Sequence, residues 1–534
     1  SGHYGYRMSE NNWMNNPNLA STTSVFEHLK ENGYLVYGSG KIYHAFRIRV
    51  EDFHDYNEEP KQGPFAFEKR PHSDLPIEFE EYGLSFSPLE SVPSFPEYTG
   101  WVTRSGAPFF YESDESRDLL GDELTVQYCD SVLADYASQS PDEPFFLTAG
   151  LYNPHEPFHV PQKYWDMYDP ADFDFSFLQP DTAIPVSTAI TNRHNWESNT
   201  GAYDLMLSFG PEGNKLKYLK RFVHGYYASV SFVDDQIGAI LQSLENHGLA
   251  ENTIVILSSD HGFHLGSKGM VRKSTLWNDA TAIPFMLRVP GVQPKKIYEP
   301  VSLVDFYPTI CDLAQVPEPS SHQLDGRSLA EVYTGSPNKA ILASIGQEKL
   351  ETNEPAKAKH AHHSLLAKKY KYMLWSSGED ELYDLSTDFR ETNNLSADPE
   401  FQPIRQGMHR LMLGELGDLA KPIANYECLF YGDFEQEFNG WSPSDPNASF
   451  ELSPGDSIFD SNHLKINIVG SPIRNNNLKF TQPGNHRLSF NAYAESDNAE
   501  VRVRLDTDDQ VYFNETFAVN EDLTEIAFDF VMPP

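Results

Sequence analysis

The sequence predicts an α/β chain with a mostly parallel sheet sandwiched by helices, followed by an all-β sandwich. Two patterns predict it. In the first part of the chain, short apolar runs alternate with amphipathic stretches, as where strands are covered by helices on both faces. Beyond residue 428 the apolar residues recur at every second position between turn residues, the period of an antiparallel sheet.

The elements follow in order. Ser24-Val25-Phe26-Glu27 has the form of a capping box, and Gly33 closes the short amphipathic stretch behind it. Then 34-YLVYGSGK-41 reads as a strand ending in a glycine turn. A helix near 122–138 feeds 145-FFLTAGL-151 in the same way. Val230, Val233, Ile237, Ile240, Leu241 and Leu244 recur at helical spacing, Gly248 ends that helix, and 254-IVIL-257 is the next strand. In the tail, Leu464/Ile466/Ile468, Leu488/Phe490/Ala492, Val501/Val503/Leu505 and Ile526/Phe528/Phe530 alternate as strands do. The junction 419-LAKPIANYEC-428 has no Gly/Ser-rich linker.

A chain of 534 residues is too long for one ordinary core, so two or more domains are expected. Its 40 Lys+Arg against 78 Asp+Glu leave a formal charge of −38, which argues against nucleic-acid binding and makes any local basic cluster informative. No run approaches the roughly 18 apolar residues of a membrane span. Cys129, Cys311 and Cys428 form no CxxC, and the first two sit at apolar helical positions, as buried inert thiols do. The chain opens Ser1-Gly2-His3-Tyr4, so a processed or trimmed N-terminus is expected.

In parallel α/β sheets ligands bind at the carboxyl ends of strands. Three such ends carry titratable side chains: Lys41 and His44 in 38-GSGKIYH-44, His155 in 153-NPHEPFHVP-161, and Asp260-His261 in 254-IVILSSDHGFHLGSKGMVRK-273. Asp260 and His261 suit a divalent cation, and equally a strand-end turn capped by the aspartate. Lys273 reads alone as a solvated loop lysine. Together, two lysines and two histidines beside a metal pair suit an anionic ester: lysines hold the oxyanion and histidines supply protons to a leaving oxygen. A second cationic island, 357-KAKHAHH-363, reads either as an exposed loop or as a polyanion subsite built from Lys357, Lys359, His360, His362 and His363.

Several ordered segments resemble the type I sulfatases of the alkaline-phosphatase superfamily. The stretch 252-NTIVILSSDHGFHLGSKGMVRKSTLWNDATAIPFMLRVPG-291 resembles their second signature region, and its Asp-His pair is most similar to the iduronate-2-sulfatase branch. The segments 33-GYLVYGSGKIYH-44, 145-FFLTAGLYNPHEPFHVP-161, 226-YYASVSFVDDQIGAIL-241, 301-VSLVDFYPTICDLAQV-316, 324-LDGRSLAEV-332, 365-LLAKKYKYMLW-375 and 381-ELYDL-385 fit in order. The resemblance implies an alkaline-phosphatase-like core over 1–335, a small antiparallel C-terminal subdomain over 336–425, and the appended sandwich over 426–534. It implies that Asp260 and His261 ligate Ca2+ and that Lys41 and Lys273 hold the sulfate. His44 would sit beside the nucleophile, and His155 would act as acid on the leaving oxygen. His159, Phe263 and His264, on the same two loops, would contact substrate.

One departure matters. The family's formylglycine arises from a C/S-x-P-S/A-R motif, and neither that motif nor the paired aspartates of the family's first strand occurs here. The expectation is that both lie upstream of Ser1, where a formylglycine-generating or sulfatase-maturing enzyme would act on the full-length protein. Without that strand a parallel sheet would show a hydrophobic gap. The tail, from 429-LFYGDFEQEFNGW-441, resembles the start and middle of a jelly-roll carbohydrate-binding module. A secreted or periplasmic enzyme acting on a sulfated, marine carbohydrate is the reading these features imply. The alternatives are a phosphoesterase or phosphonate hydrolase of the same superfamily, and a non-catalytic binder of sulfated glycans.

Overall fold

A computed structural model describes residues 22–43, 49–57, 63–66, 86–91, 100–103, 106–178, 199–273, 275–298, 300–330, 341–345, 362–375 and 379–416, with strand backbone at 441–443, 473–475, 484–492, 499–506, 511–519 and 524–532. The chain divides into two compact units: residues 1–337 with 349–353, and residues 338–348 with 354–534. The boundaries expected at 335/336 and 425/426 lie outside the described residues.

In the first unit, α1 (Val25–Glu31) begins at Ser24, whose hydroxyl accepts the Glu27 amide at 3.0 Å. The Glu27 carboxylate goes to Arg49, 3.1 Å away. Strand β1 (Leu35–Gly40) then forms the centre of a parallel sheet, between β2 (Asp55–Asn57) and β3 (Phe145–Gly150). Helix α2 (Gly121–Gln139) leads into β3. After α3 (Asn199–Phe209), the long α4 (Lys217–Asn246) leads towards β4 (Val255–Ser258). Helix α4 starts well before the stripe at 230–244. Its first turns bury Tyr218, Leu219, Phe222, Val223 and Gly225 on one face at helical spacing, with His224 buried beside it, so the buried face begins ahead of Val230.

Strand β4 pairs antiparallel with β7 (Phe285–Arg288) in a second, two-stranded sheet; the hairpin β5 (His264–Leu265) and β6 (Val271–Arg272) lies between them in sequence. Among the described residues β3 and β4 are not hydrogen-bonded to each other, and no residue of either is fully buried. A strand inside a covered parallel sheet would be buried on both faces. The two sheet pieces are instead joined through side chains: Leu133, Leu244 and Ala250 pack with Phe145, Leu147 and Val255. A larger aromatic core, including Trp101, Phe158, Trp165, Phe222 and Phe232, lies along α4. Helix α5 (Phe306–Ala314) closes the opposite side, with Phe306 and Ile310 against Leu29, Val36 and Phe53.

Strands β1 and β3 end level, Gly40 opposite Gly150, and the Lys41 amide extends the ladder to the Gly150 carbonyl at 2.6 Å. The two glycines make this possible. A Cβ on Gly40, at φ +80°, would sit 2.1 Å from the Gly150 oxygen, and one on Gly150 would sit 2.4 Å from the Lys41 carbonyl carbon. Gly40→Ala is therefore expected to destabilise the protein by about 2 kcal/mol or more through the clash and the left-handed backbone. Urea unfolding checks this; an unchanged midpoint would refute the tight crossing.

In the second unit, β8 (Ile341–Ile345), β9 (His362–Ala367), β10 (Tyr370–Leu374) and β11 (Asp380–Asp384) form one antiparallel sheet in sequence order. Helix α6 (Gln402–Leu416) is tied to it by a 2.9 Å hydrogen bond between Tyr372 Oη and His409 Nδ1. In the tail, β12 (Trp441–Pro443) pairs with β13 (Ile473–Asn475), β14 (Gly484–Ala492) with β17 (Thr524–Met532), and β15 (Ala499–Asp506) with β16 (Val511–Val519), all antiparallel.

Candidate active site

Each site residue lies just past the end of a strand. Lys41 comes directly after β1, at the glycine crossing. The loop after β3 is anchored from below by Asp122, in the first turn of α2. Its buried carboxylate accepts the Tyr152 amide at 2.6 Å, the Asn153 amide at 2.9 Å and the Asn153 side-chain amide at 2.9 Å. Burial pushes the Asp122 carboxyl up while these three donors pull it down. Two residues beyond Asn153, His155 donates Nδ1–H to the Glu156 carbonyl at 2.8 Å, since a carbonyl only accepts.

Strand β4 ends at Ser258, so Asp260 and His261 are freed from the alternation that would send them to opposite faces. Gly262 is required by proximity, because a Cβ there would meet the Asp279 carbonyl at 2.3 Å. The hairpin that carries Lys273 is fixed by a buried polar chain. His264 Nε2 meets Thr275 Oγ1 at 2.6 Å, its Nδ1 lies 3.2 Å from Ser267 Oγ, and Ser267 donates in turn to Asp279.

Five groups act on one another here. Lys41 Nζ lies 3.8 Å from Asp260 Oδ2, and His261 Nε2 lies 3.4 Å from the same oxygen. Burial first, then the charges of Lys273 and Lys41, push His155 down to about 4. Lys273 is lowered by burial and by Lys41, against the pull of Asp260 and Glu156. His261 is lowered by burial, with Lys273 and Lys41 adding to it. Both imidazoles are thus neutral near pH 7, and two ammonium groups face one carboxylate. The local charge is positive in a chain whose net charge is −38, which suits an anionic ligand.

The Asp260–His261 pair also fits a cation. His261 donates Nδ1–H to the Gly262 carbonyl at 2.7 Å, so Nε2 carries a lone pair. That nitrogen is buried with no hydrogen-bond partner, and it faces a carboxylate oxygen. Two acceptors pointed at each other repel unless positive charge lies between them. The donors match a divalent ion in kind and supply part of its shell; among the described residues no group of three or more His, Cys, Asp or Glu gathers as a metal site.

Other expected contacts are corrected by burial. His159 is 3% exposed, bonded through Nδ1 to the Ser87 carbonyl at 3.0 Å and packed 4.7 Å from the Trp101 ring. His264 is fully buried in its polar chain with Thr275 and Ser267, where it ties the hairpin together. Phe263 is half-buried, stacked on Tyr226 at 5.3 Å between ring centres. His362 and His363 are buried within β9, so neither presents a cationic surface. His44, Lys357, Lys359 and His360 lie outside the described residues. Cys129 and Cys311 are buried and free, and burial pushes them up to about 12 and about 11, so both remain inert thiols.

The profile of the Sulfatase family matches residues 2–316, more than half of the chain and a span that includes all five interacting groups. The chain belongs to the sulfatase family. A second profile, that of the N-sulphoglucosamine sulphohydrolase C-terminal region, matches residues 266–416 of this sulfatase, from the Lys273 hairpin through the antiparallel sheet. Its sequence is 27% identical over 436 residues to a sulfatase of Formosa agariphila, covering 76% of this chain and 73% of that protein. It is 25% identical over 328 residues to the iduronate 2-sulfatase of Mus musculus, covering 56% and 55%. Its fold is similar to that of the phosphonate monoester hydrolase SpPMH from Silicibacter pomeroyi, with a TM-score of 0.52 at 19% identity, over 78% of this chain and 83% of that one. The sulfatase thus has the alkaline-phosphatase-like α/β fold. Among its described residues no helix is long and apolar enough to cross a membrane.

Proposed function

We propose that this sulfatase hydrolyses sulfate esters on a carbohydrate, with calcium held by Asp260 and His261. The convergence of Lys41, Lys273 and His155 on that pair carries the reading. Lys41 and Lys273 bind the charge of the sulfate and orient it. His155 donates a proton to the leaving sugar oxygen, and the family resemblance assigns His44 a role at the nucleophile. Calcium, when bound, supplies further positive charge to the sulfate oxygens. The nucleophile is taken to be a formylglycine outside these 534 residues, installed by a maturing enzyme.

Likeness to an iduronate 2-sulfatase supports a sugar substrate, and the antiparallel strands of the tail are compatible with an attached sugar-binding module. The strongly acidic surface fits a secreted or periplasmic enzyme in a saline setting, acting on a marine sulfated polysaccharide or its fragments.

The test is a panel of sulfated glycans with matched aryl sulfates, phosphates and phosphonates, offered to the full-length, formylglycine-bearing protein. Sulfate release that stops on chelation and returns with calcium is expected. No release from any sulfated glycan, or a preference for phosphate or phosphonate esters, would overturn the proposal.

A further inference from the structure

An ion pair beside the five interacting groups joins two of their loops. Arg272 directs Nε to Glu156 Oε1 at 3.0 Å and Nη2 to Glu156 Oε2 at 2.9 Å. Their side chains are 30% and 15% exposed, so water competes weakly with this fork. Glu156 is the residue after His155, and Arg272 is the residue before Lys273.

The backbone is shaped for the contact. Arg272 has φ +74°, a left-handed conformation uncommon outside glycine. In a regular strand Arg272 and Lys273 would point to opposite faces. The left-handed residue breaks that alternation, so the guanidinium reaches Glu156 while the next ammonium acts on Lys41 and Asp260. The hairpin is also held by the buried His264 chain, which reaches Thr275 beyond Lys273, and by Met270 and Val271 in the core. The fork adds the tie from the end of β6, next to Lys273, across to the loop of His155. Lys273 and Lys41 repel each other, and both bear on His155, so the spacing between the loops has to be held against charge.

We propose that Glu156 and Arg272 are positioning residues. Their fork holds Lys273 and His155 at the separation at which the lysines grip an anionic group and the imidazole reaches its leaving oxygen. This rests on the anionic-ester reading given under Proposed function, but sulfate binding alone can test it.

Arg272→Lys keeps the charge but cannot fork, and Glu156→Gln keeps the shape but loses the carboxylate. The full-length, formylglycine-bearing protein and its variants are compared by kcat and KM on a sulfated ester, by calorimetric Kd for inorganic sulfate, and by circular dichroism for the fold. Each single variant is expected to lower kcat about tenfold and to weaken sulfate binding about fivefold. The double variant Glu156→Gln/Arg272→Lys should be no worse than either single, because both break one fork. A purely structural pair would lower the melting temperature and leave the sulfate affinity of the folded protein unchanged. That result, or losses that multiply in the double variant, overturns the proposal. If the parent turned over no ester, the functional reading would fall while the sulfate affinities still decided the fork. A parent that bound no sulfate would overturn both.

Discussion

With an anion bound, the imidazole of His155 is expected to titrate above its value of about 4 in the anion-free site. Burial is the largest cause of the low value and persists when ligand enters. Lys273 and Lys41 are the other causes that lower it, and the single negative charge of a bound sulfate ester offsets part of theirs. Offsetting their influence should raise the group and favour the imidazolium. The acid would thus be armed by its substrate. In kinetic terms, kcat/KM falls as pH rises past the low pKa of the free enzyme, whereas kcat falls past the higher pKa of the complex. His155→Ala should lower kcat by about 10²- to 10⁴-fold for a sugar leaving group. The loss should be much smaller for a nitrophenyl sulfate, whose leaving group needs no proton. Equal losses on both substrates would rule out His155 as the acid.

Acid should destabilise each compact unit through a buried neutral histidine. His159, 3% exposed, and His363, 5% exposed, are both pushed down to about 4 by burial. The unfolded chain takes up these protons near the ordinary value of 6.5. The folded state does so only near 4, so the stabilising contribution is complete above 6.5, is lost as pH falls from 6.5 to 4, and is flat below that. Each histidine accounts for up to roughly 3 kcal/mol across the window. His159→Gln removes the titrating group and retains an amide donor for the Ser87 carbonyl. Its urea midpoint should be lower at pH 7 but decline less steeply towards pH 4 than the parent's. Parallel declines would show that His159 is not the titrating group.

The fold was legible where one periodicity ruled a segment. Strands at 35–40, 145–150 and 255–258 and the helix over 121–139 arise from apolar runs and spacing. The front half of α4 was less legible, because its buried residues mix Tyr218, His224 and Gly225 with Leu219, Phe222 and Val223. The antiparallel pairing of β4 with β7 was not legible, since a short apolar run has no direction. At the site, Lys41, His155, Asp260 and His261 stood out as polar residues behind apolar strands, and Lys273 only through its company and the family resemblance. Their supports did not. Asp122 lies some thirty positions before the loop it anchors, and Glu156 and Arg272 are 116 apart in sequence. A first-turn aspartate on the helix preceding a strand was the one local sign of the former. His159 and His264 each come after a phenylalanine on a site loop, and spacing alone does not separate a histidine that faces the cavity from one that packs beneath it.

The two ammonium groups of Lys41 and Lys273 repel each other and are only partly answered by Asp260. A folded state that holds them together is destabilised until an anion arrives. Any anion that binds there returns that free energy to the native state by mass action, about 2.7 kcal/mol at a concentration 100 times its Kd. The sulfate released by the proposed reaction is such an anion. Resistance to heat and inhibition by product would then rise together with sulfate concentration, as two readings of a single binding curve.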